Sequence, residues 1–403
     1  MRVKIGIPRA MFYYKFIRFW EVFFTELGAE IIVSELTNKR ILNDGVKACV
    51  DEACLPVKLF FGHVINIMDR VDYVLVPRFT SISKGEYVCP EFGGLPDMIK
   101  HTIKGLPKLI DTEVNLRKSE KGGVRAAVRM AALIGASRRD ALVAYRHALL
   151  HLSLGDGSLG GDASLGGDGS LGGDTSLGGD ASLGGDASIS WLDKASRTRL
   201  GERFPQSQSS PRLSERSLPF FEGRRTVPQD KRTVPQDRRT VPHVPLLQVA
   251  VIGHPYTIYD EYISMDLLGK LKKYDIGVKT IEMVSNDAIN KSVAELAKPM
   301  FWYYGRTAYG AVMHLARAGK VDGIICLTSF GCGVDSFIND LIERKIKKES
   351  DIPFITMTID EHSGEAGFNT RLEAFTDMLH WRRCNEDNLP TPGEHIYRCQ
   401  INT

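Results

Sequence analysis

The stretch ICLTSFGCGVDSFINDL, residues 325–341, decides the fold. The apolar run 321–327 has the length and composition of a buried strand, and it stops at Ser329-Phe330-Gly331-Cys332-Gly333. A helical spacing follows, with Val334, Phe337, Ile338, Leu341 and Ile342 on one face. Cys332 therefore stands between two glycines where a strand ends and a helix begins. In an open α/β sheet, ligands bind outside the carboxyl ends of strands. The unpaired N–H groups of a helix start favour a thiolate there. A small buried cysteine packed in a tight turn is the alternative reading of the same residues.

Working outward, the N-terminal part repeats the strand-then-helix order. Val3, Ile5 and Ile7 alternate up to Pro8, and residues 11–27 have helix length with Gly28 placed to cap them. A second strand covers 30–33, with Ile31, Ile32 and Val33 apolar. Thr37 is placed to cap a helix carrying Ile41, Leu42 and Val46. Cys54 precedes Pro56 and a helix over 59–68; a strand at 71–76 ends at Pro77. The segment 78–87 reads as a loop leading to Cys89-Pro90 and a helix over 95–102. After residue 246 the pattern resumes. Strands are expected at 249–252, 278–281, 321–327 and 353–359, and helices around 263–271, 288–296, 305–318 and 370–379, with Asp260 as a cap. Alternating strands and helices of this kind predict an α/β protein of two doubly wound, Rossmann- or flavodoxin-like parallel-sheet halves.

Between the halves the character changes. Residues 125–152 are rich in Ala and Arg and have helix-forming composition. A Gly/Asp hexapeptide repeat then runs to Ala187, with Asp162, Asp168, Asp174, Asp180 and Asp186 in phase. A second repeat of period seven begins at Thr226 and recurs at Thr233 and Thr240. One Leu per hexapeptide and no aromatic supply too little apolar surface to offset chain ordering, so a disordered low-complexity insert is expected. The divisions expected are an N-terminal half over 1–121, the insert over 122–245, a C-terminal half over 246–380 and a polar tail over 381–403.

Composition narrows the class. The chain has 403 residues, 43% hydrophobic and 25% charged, in the range of globular proteins and enough for two domains. A net charge of +3 gives no bulk argument for nucleic-acid or membrane binding. No apolar run reaches spanning length, and the N-terminus is too polar for a signal peptide, so a cytoplasmic location is expected. Seven widely spaced cysteines do not form a secreted disulfide framework.

Cys54, Cys89 and Cys332 each lie in a loop ahead of a helix start. Three thiolates from distant loops suffice for a [4Fe–4S] cube with one iron open to a non-protein ligand, although ferredoxin spacing is absent. A zinc site of three cysteines, or three unrelated core thiols, fits the residues as well. Glu361 and His362, at the end of the last strand, are candidates for proton transfer, with a solvated capping loop as the alternative. Gly253-His254-Pro255 reads as a structural turn. No GxxxxGK[ST] or GxGxxG loop is present, so the chain is not expected to hydrolyse ATP.

Several long motifs, among them IGIPRAMFYY, DEACLPVKLFFGHV, YVCPEFGGLPDMIK, GHPYTIYDEYISMDLL, ICLTSFGCGVDSF and TIDEHSGEAGFNTRLEAFTDML, resemble the acyl-CoA dehydratase activase-related (CoA protein activase) family. That family stands with the 2-hydroxyacyl-CoA dehydratases and double-cubane-cluster reductases. The likeness covers about 1–120 and 246–380. It implies α/β domains around an iron–sulfur cluster, [4Fe–4S] or a double-cubane variant. Such a cluster is fed low-potential electrons by an ATP-dependent activase of actin-like fold. In the dehydratases the electron turns an acyl-CoA thioester into a ketyl radical. Carried over by motif, the cluster ligands are Cys54, Cys89 and Cys332, with Glu361 and His362 nearby. Cys49 and Cys326, inside a helix and a strand, are not expected to be ligands, and Cys384 and Cys399 fall in the tail. The resemblance further implies a companion subunit, an oligomeric assembly and an acyl-CoA substrate. The rivals are a non-redox assembly or regulatory protein with structural or zinc-binding cysteines, and a CoA- or nucleotide-binding module without cluster.

Overall fold

The computed structural model describes residues 2–155 and 247–387. The repeats and Cys399 lie outside the described residues, as does the expectation of disorder.

The N-terminal half contains β1 (Lys4–Ile7), β2 (Glu30–Val33), β3 (Tyr73–Leu75), β4 (Arg78–Ser81), β5 (Lys108–Ile110) and β6 (Glu113–Asn115). Four of these form a parallel sheet in the order β2-β1-β3-β5. The C-terminal half contains β7 (Leu247–Ile252), β8 (Ile276–Thr280), β9 (Gly323–Ser329) and β10 (Phe354–Ile359), all parallel in the order β10-β9-β7-β8. Counted within its own half, each sheet runs 2-1-3-4, the flavodoxin-like order. Every residue of β9 is buried. A parallel strand covered on both faces needs such an unbroken apolar run.

The helices of the first half are α1 (Tyr13–Glu26), α2 (Lys39–Ala48), α3 (Leu55–Ile67), α4 (Pro90–Thr102), α5 (Lys121–Leu133) and α6 (Arg138–Gly155). Those of the second are α7 (Pro255–Ile258), α8 (Leu267–Lys273), α9 (Asn286–Val293), α10 (Tyr303–Arg317), α11 (Gly333–Glu349) and α12 (Glu365–Asp387). The crossing of α2 and α3 is unusually close. A Cβ on Gly45 would stand 1.9 Å from the Lys58 carbonyl oxygen, and one on Gly62 would stand 2.0 Å from that of Ile41. Glycine at both positions lets the two backbones touch.

The structure corrects several expectations. The N-terminal half does not end at residue 121. Ala126, Ala127, Met130 and Ala131 of α5, with Ala141, Ala144, Tyr145 and Ala148 of α6, are buried, and Tyr145 meets Phe19 of α1 edge-on at 5.7 Å. An alanine stripe buries as well as a leucine stripe when helices pack closely, and the arginines between hide it in the composition. The segment 78–87 is not all loop: β4 pairs with β6 in a separate two-stranded parallel sheet. The last helix is longer than 370–379 at both ends and enters the expected tail. Arg382 there donates to the Asp351 carbonyl at 2.9 Å. Asn38, not Thr37, caps α2 by accepting from the Ile41 amide. Asp260 accepts from the Tyr262 and Ile263 amides, but a regular helix starts only at Leu267.

The two halves share one core. Leu42, Leu55 and Leu59 of α2 and α3 pack with Val249, Leu327, Phe368 and Leu372 of the second half. A buried polar chain reinforces the junction. His63, fully buried, has Nδ1 2.8 Å from Ser34 Oγ and Nε2 3.0 Å from Thr37 Oγ1. Thr37 and Tyr14 both donate to Asp260 of the second half, Tyr14 at 2.9 Å. Burial pushes the His63 pKa down to about 3, so this histidine is a neutral hydrogen-bonding link.

Candidate metal centre

Cys332 is the N-cap residue of α11, directly after β9. Gly331 before it has φ +80°, a conformation that favours glycine, and turns the chain sharply off the strand. A Cβ on Gly331 would lie 3.8 Å from the Cys54 Cα and 3.7 Å from the Glu52 carbonyl oxygen. The cysteine loop of the second half is thus seated on that of the first. Cys54 is the N-cap of α3 and Cys89 the N-cap of α4, each followed by proline in the first turn. None of the three side chains is used to cap its own helix. Three thiols from both halves therefore converge, each at the amino end of a helix. Tyr256, buried, lies within electrostatic reach of all three thiols and of Asp335.

A cavity of about 350 Å³ opens beside them, with walls from both halves. Cys89 and His254 lie in its wall, and Phe12, Tyr87, Trp302 and Tyr304 make it largely aromatic. Lys15 and Glu282 supply charge.

The electrostatics do not match the expectation of a ready-made thiolate. Burial raises all three thiol pKa values. Cys89 is pushed up to about 11 by burial, against the Glu91 backbone N–H, which lowers it, with smaller rises from the Glu91 and Asp335 carboxylates. Cys54 is pushed well above its ordinary value by burial, then by Glu91, to which its thiol donates at 3.1 Å. Cys332 is likewise pushed up by burial and by Asp335, with Cys89 adding to it. Loss of water and two neighbouring carboxylates outweigh the helix N–H groups. In the metal-free protein these groups are neutral thiols.

Comparison with protein-family models bears on the same residues. Residues 4–154 match a CoA enzyme activase uncharacterised domain. Residues 278–379 match the 2-hydroxyglutaryl-CoA dehydratase D-component. Both matches agree with the resemblance of the sequence motifs to the acyl-CoA dehydratase activase-related proteins. No curated protein matches the chain.

Cys54 and Cys89 lie in the activase-type domain and Cys332 in the D-component domain, so the thiol group draws on both. The donor set fits the cluster that the family resemblance implies. Cys54 lies beside the Glu91 carboxylate and within electrostatic reach of Cys332, and Cys332 lies beside Asp335 and within reach of Cys89, so the three sulfurs are neighbours without closing into one compact donor group. A bound cationic metal group would displace the thiol protons and offset the two carboxylates.

The other candidates are placed as follows. Glu361 pairs with Lys58 at 2.5 Å across the junction, in the first turn of the helix that Cys54 starts. Burial raises its pKa and Lys58 lowers it, and the net shift is downward. Glu361 is therefore an ionised tether of the cysteine-bearing helix. His362 is exposed and donates its backbone N–H to Asp360 Oδ1 at 2.9 Å. Cys326 is fully buried within β9, with its thiol 3.3 Å from Asn339 Oδ1. Cys49 ends α2 and is half-buried. Cys384 lies on α12.

Sequence reading missed the importance of His254, Asp335 and Glu91. His254, expected as a structural turn residue, follows β7, the neighbour of β9 at the point where strand order reverses. Its ring is stacked between Tyr256 at 4.7 Å and Tyr304 at 3.6 Å. The available signal was its position, since a histidine directly after the first strand of a doubly wound half faces the switch point.

Proposed function

We propose that this chain is an iron–sulfur protein that accepts low-potential electrons from an ATP-dependent activase, for reductive or radical dehydration chemistry on an acyl-CoA. The observation that carries this reading is the convergence of Cys54, Cys89 and Cys332, from two differently matched domains, beside an aromatic cavity. These three residues would hold the cluster, [4Fe–4S] or a double-cubane variant. When bound, it supplies one-electron transfer at low potential, tuned by burial and hydrogen bonds to sulfur.

The chain's own residues have separate tasks. The α3, α4 and α11 N-termini direct backbone N–H groups toward the sulfurs. Phe12, Phe92, Tyr256 and Tyr304 keep water from the thiols and shape the cavity for the acyl part of a substrate. Lys58 and Glu361 hold the Cys54 helix against the second half. With its partner lysine in place Glu361 stays ionised, which leaves His362 the freer group for proton transfer. The activase, or a companion subunit of the same superfamily, is the partner this reading requires.

The test is anaerobic purification and reconstitution, with iron and sulfide counted and electron paramagnetic resonance recorded after dithionite reduction. About four irons or more per chain, lost in Cys54→Ser, Cys89→Ser and Cys332→Ser alike, is the expected result. A folded protein that takes up no iron or sulfide would overturn the reading.

A further inference from the structure

A second donor group shares Cys332 but leaves out Cys54 and Cys89. One ligand atom each from His254, Cys332 and Asp335 lie within 4.8 Å of one another, a group that meets this criterion alone among the described residues. His254 Nε2 and Asp335 Oδ1 are 3.0 Å apart. Asp335 is 1% exposed, and its Oδ1 makes no aligned hydrogen bond, although His254 Nε2 stands within ion-pair distance. A buried carboxylate oxygen that faces a histidine nitrogen and a thiol without an aligned hydrogen bond is stabilised when a cation is placed between them.

We propose that, when no cluster is present, His254, Cys332 and Asp335 bind a single divalent ion of borderline softness, zinc foremost. Nitrogen, sulfur and carboxylate oxygen are the zinc donor set. Donors at zinc bond lengths of roughly 2.0–2.3 Å stand about 3.3–3.6 Å apart around a tetrahedron. The observed spacings reach that with small side-chain movements. The positions are also prepared. Thr328 donates to Asp335 Oδ2 at 3.2 Å, leaving Oδ1 as the inward atom, and the two tyrosines fix the His254 ring. Outer contacts of this type orient metal ligands. Three protein donors leave a fourth position open, and His254 borders the aromatic cavity, so the open position is accessible to water or an oxygen ligand from that side.

The test uses the full chain purified aerobically, freed of metal by a chelator and titrated with Zn²⁺ alone and with Co²⁺ alone. One ion per chain is expected, with cobalt giving intense tetrahedral visible bands and a near-ultraviolet thiolate charge-transfer band. His254→Ala and Asp335→Asn should each weaken zinc binding 10-fold or more, while Cys54→Ser and Cys89→Ser leave it within 2-fold. Circular dichroism confirms that each variant is folded. No stoichiometric binding by the wild-type chain overturns the proposal. So does binding that survives His254→Ala and Asp335→Asn, or that is lost with Cys54→Ser and Cys89→Ser. Iron uptake under anaerobic reconstitution depends on Cys54 and Cys89 rather than on His254 and Asp335, with Cys332 common to both, so failure here and failure of the cluster reading give different results.

Discussion

Replacing Lys58 by Met leaves Glu361 without its partner at the junction of the halves. The Lys58 side chain is 6% exposed and that of Glu361 17%, so the pair is largely withdrawn from water. Removing one member of a buried pair costs about 3–5 kcal/mol, because the remaining charge stays desolvated. Glu361 keeps some access to solvent, which places Lys58→Met at the low end, about 3 kcal/mol. For a chain of this size that lowers Tm by roughly 5 °C. Lys58→Met combined with Glu361→Gln removes the stranded charge and should recover at least half of the loss. Thermal melts of the two single variants and the double variant close the cycle. The pH dependence has a definite sign. The folded pKa of Glu361 lies below its ordinary value of 4.5, so the stabilisation is complete above that value. It is lost as pH falls below about 4.5 through the depressed folded value. Lys58→Met should flatten this acid limb. A coupling energy below about 0.5 kcal/mol, or an unchanged acid limb, would refute the assignment of a buried tether.

Other perturbations probe different parts of the fold. Gly45→Ala places a methyl 1.9 Å from the Lys58 carbonyl and should cost about 3 kcal/mol or more in urea unfolding, since backbone must move. Gly28→Ala, which meets no neighbour within 4 Å and strains only φ, should cost only about 1 kcal/mol. Cys326→Ala and Cys49→Ser should leave iron content after reconstitution unchanged, in contrast to Cys332→Ser, because neither begins a helix at the thiol group. His63→Ala should destabilise by about 2–4 kcal/mol with no recovery at low pH, because Ser34 and Thr37 lose a neutral partner.

The alternation of strand and helix was legible because buried parallel strands are short apolar runs and helices carry their apolar residues on one face. It places β9 within two residues at each end and the start of α11 at the Cys332 turn, although Phe337, expected on the apolar face of α11, is exposed. Lys108–Ile110 and Glu113–Asn115, unlike the equally short Tyr73–Leu75 within its longer apolar run, carry too few apolar positions to show as strands. The Ala-lined helices α5 and α6 were read as insert because their buried face is small in volume. The repeat positions of Cys54, Cys89 and Cys332 before helices could be read locally, through Pro56, Pro90 and Gly333. Their convergence could not, since it depends on how one half sits on the other. The same holds for Glu361 and Lys58, which are 303 residues apart in sequence. Glu361 looked like a free carboxylate because its partner is a lysine inside an otherwise apolar helix.

The raised thiol pKa values change how the site must be loaded. A thiolate-ready site would react with any soft electrophile or oxidant that reached it. Burial, Glu91 and Asp335 raise the thiol pKa values, so under the proposed function deprotonation would accompany metal binding. Loading should therefore release protons and be markedly slower at low pH. Glu91 accepts directly from the Cys54 thiol, so it is the group placed to receive that proton. Glu91→Gln tests this: reconstitution should slow several-fold at neutral pH, while the final iron content stays the same. A rate identical to that of the native chain would mean that water reaches Cys54 directly. The carboxylate would then serve only to raise the thiol's pKa.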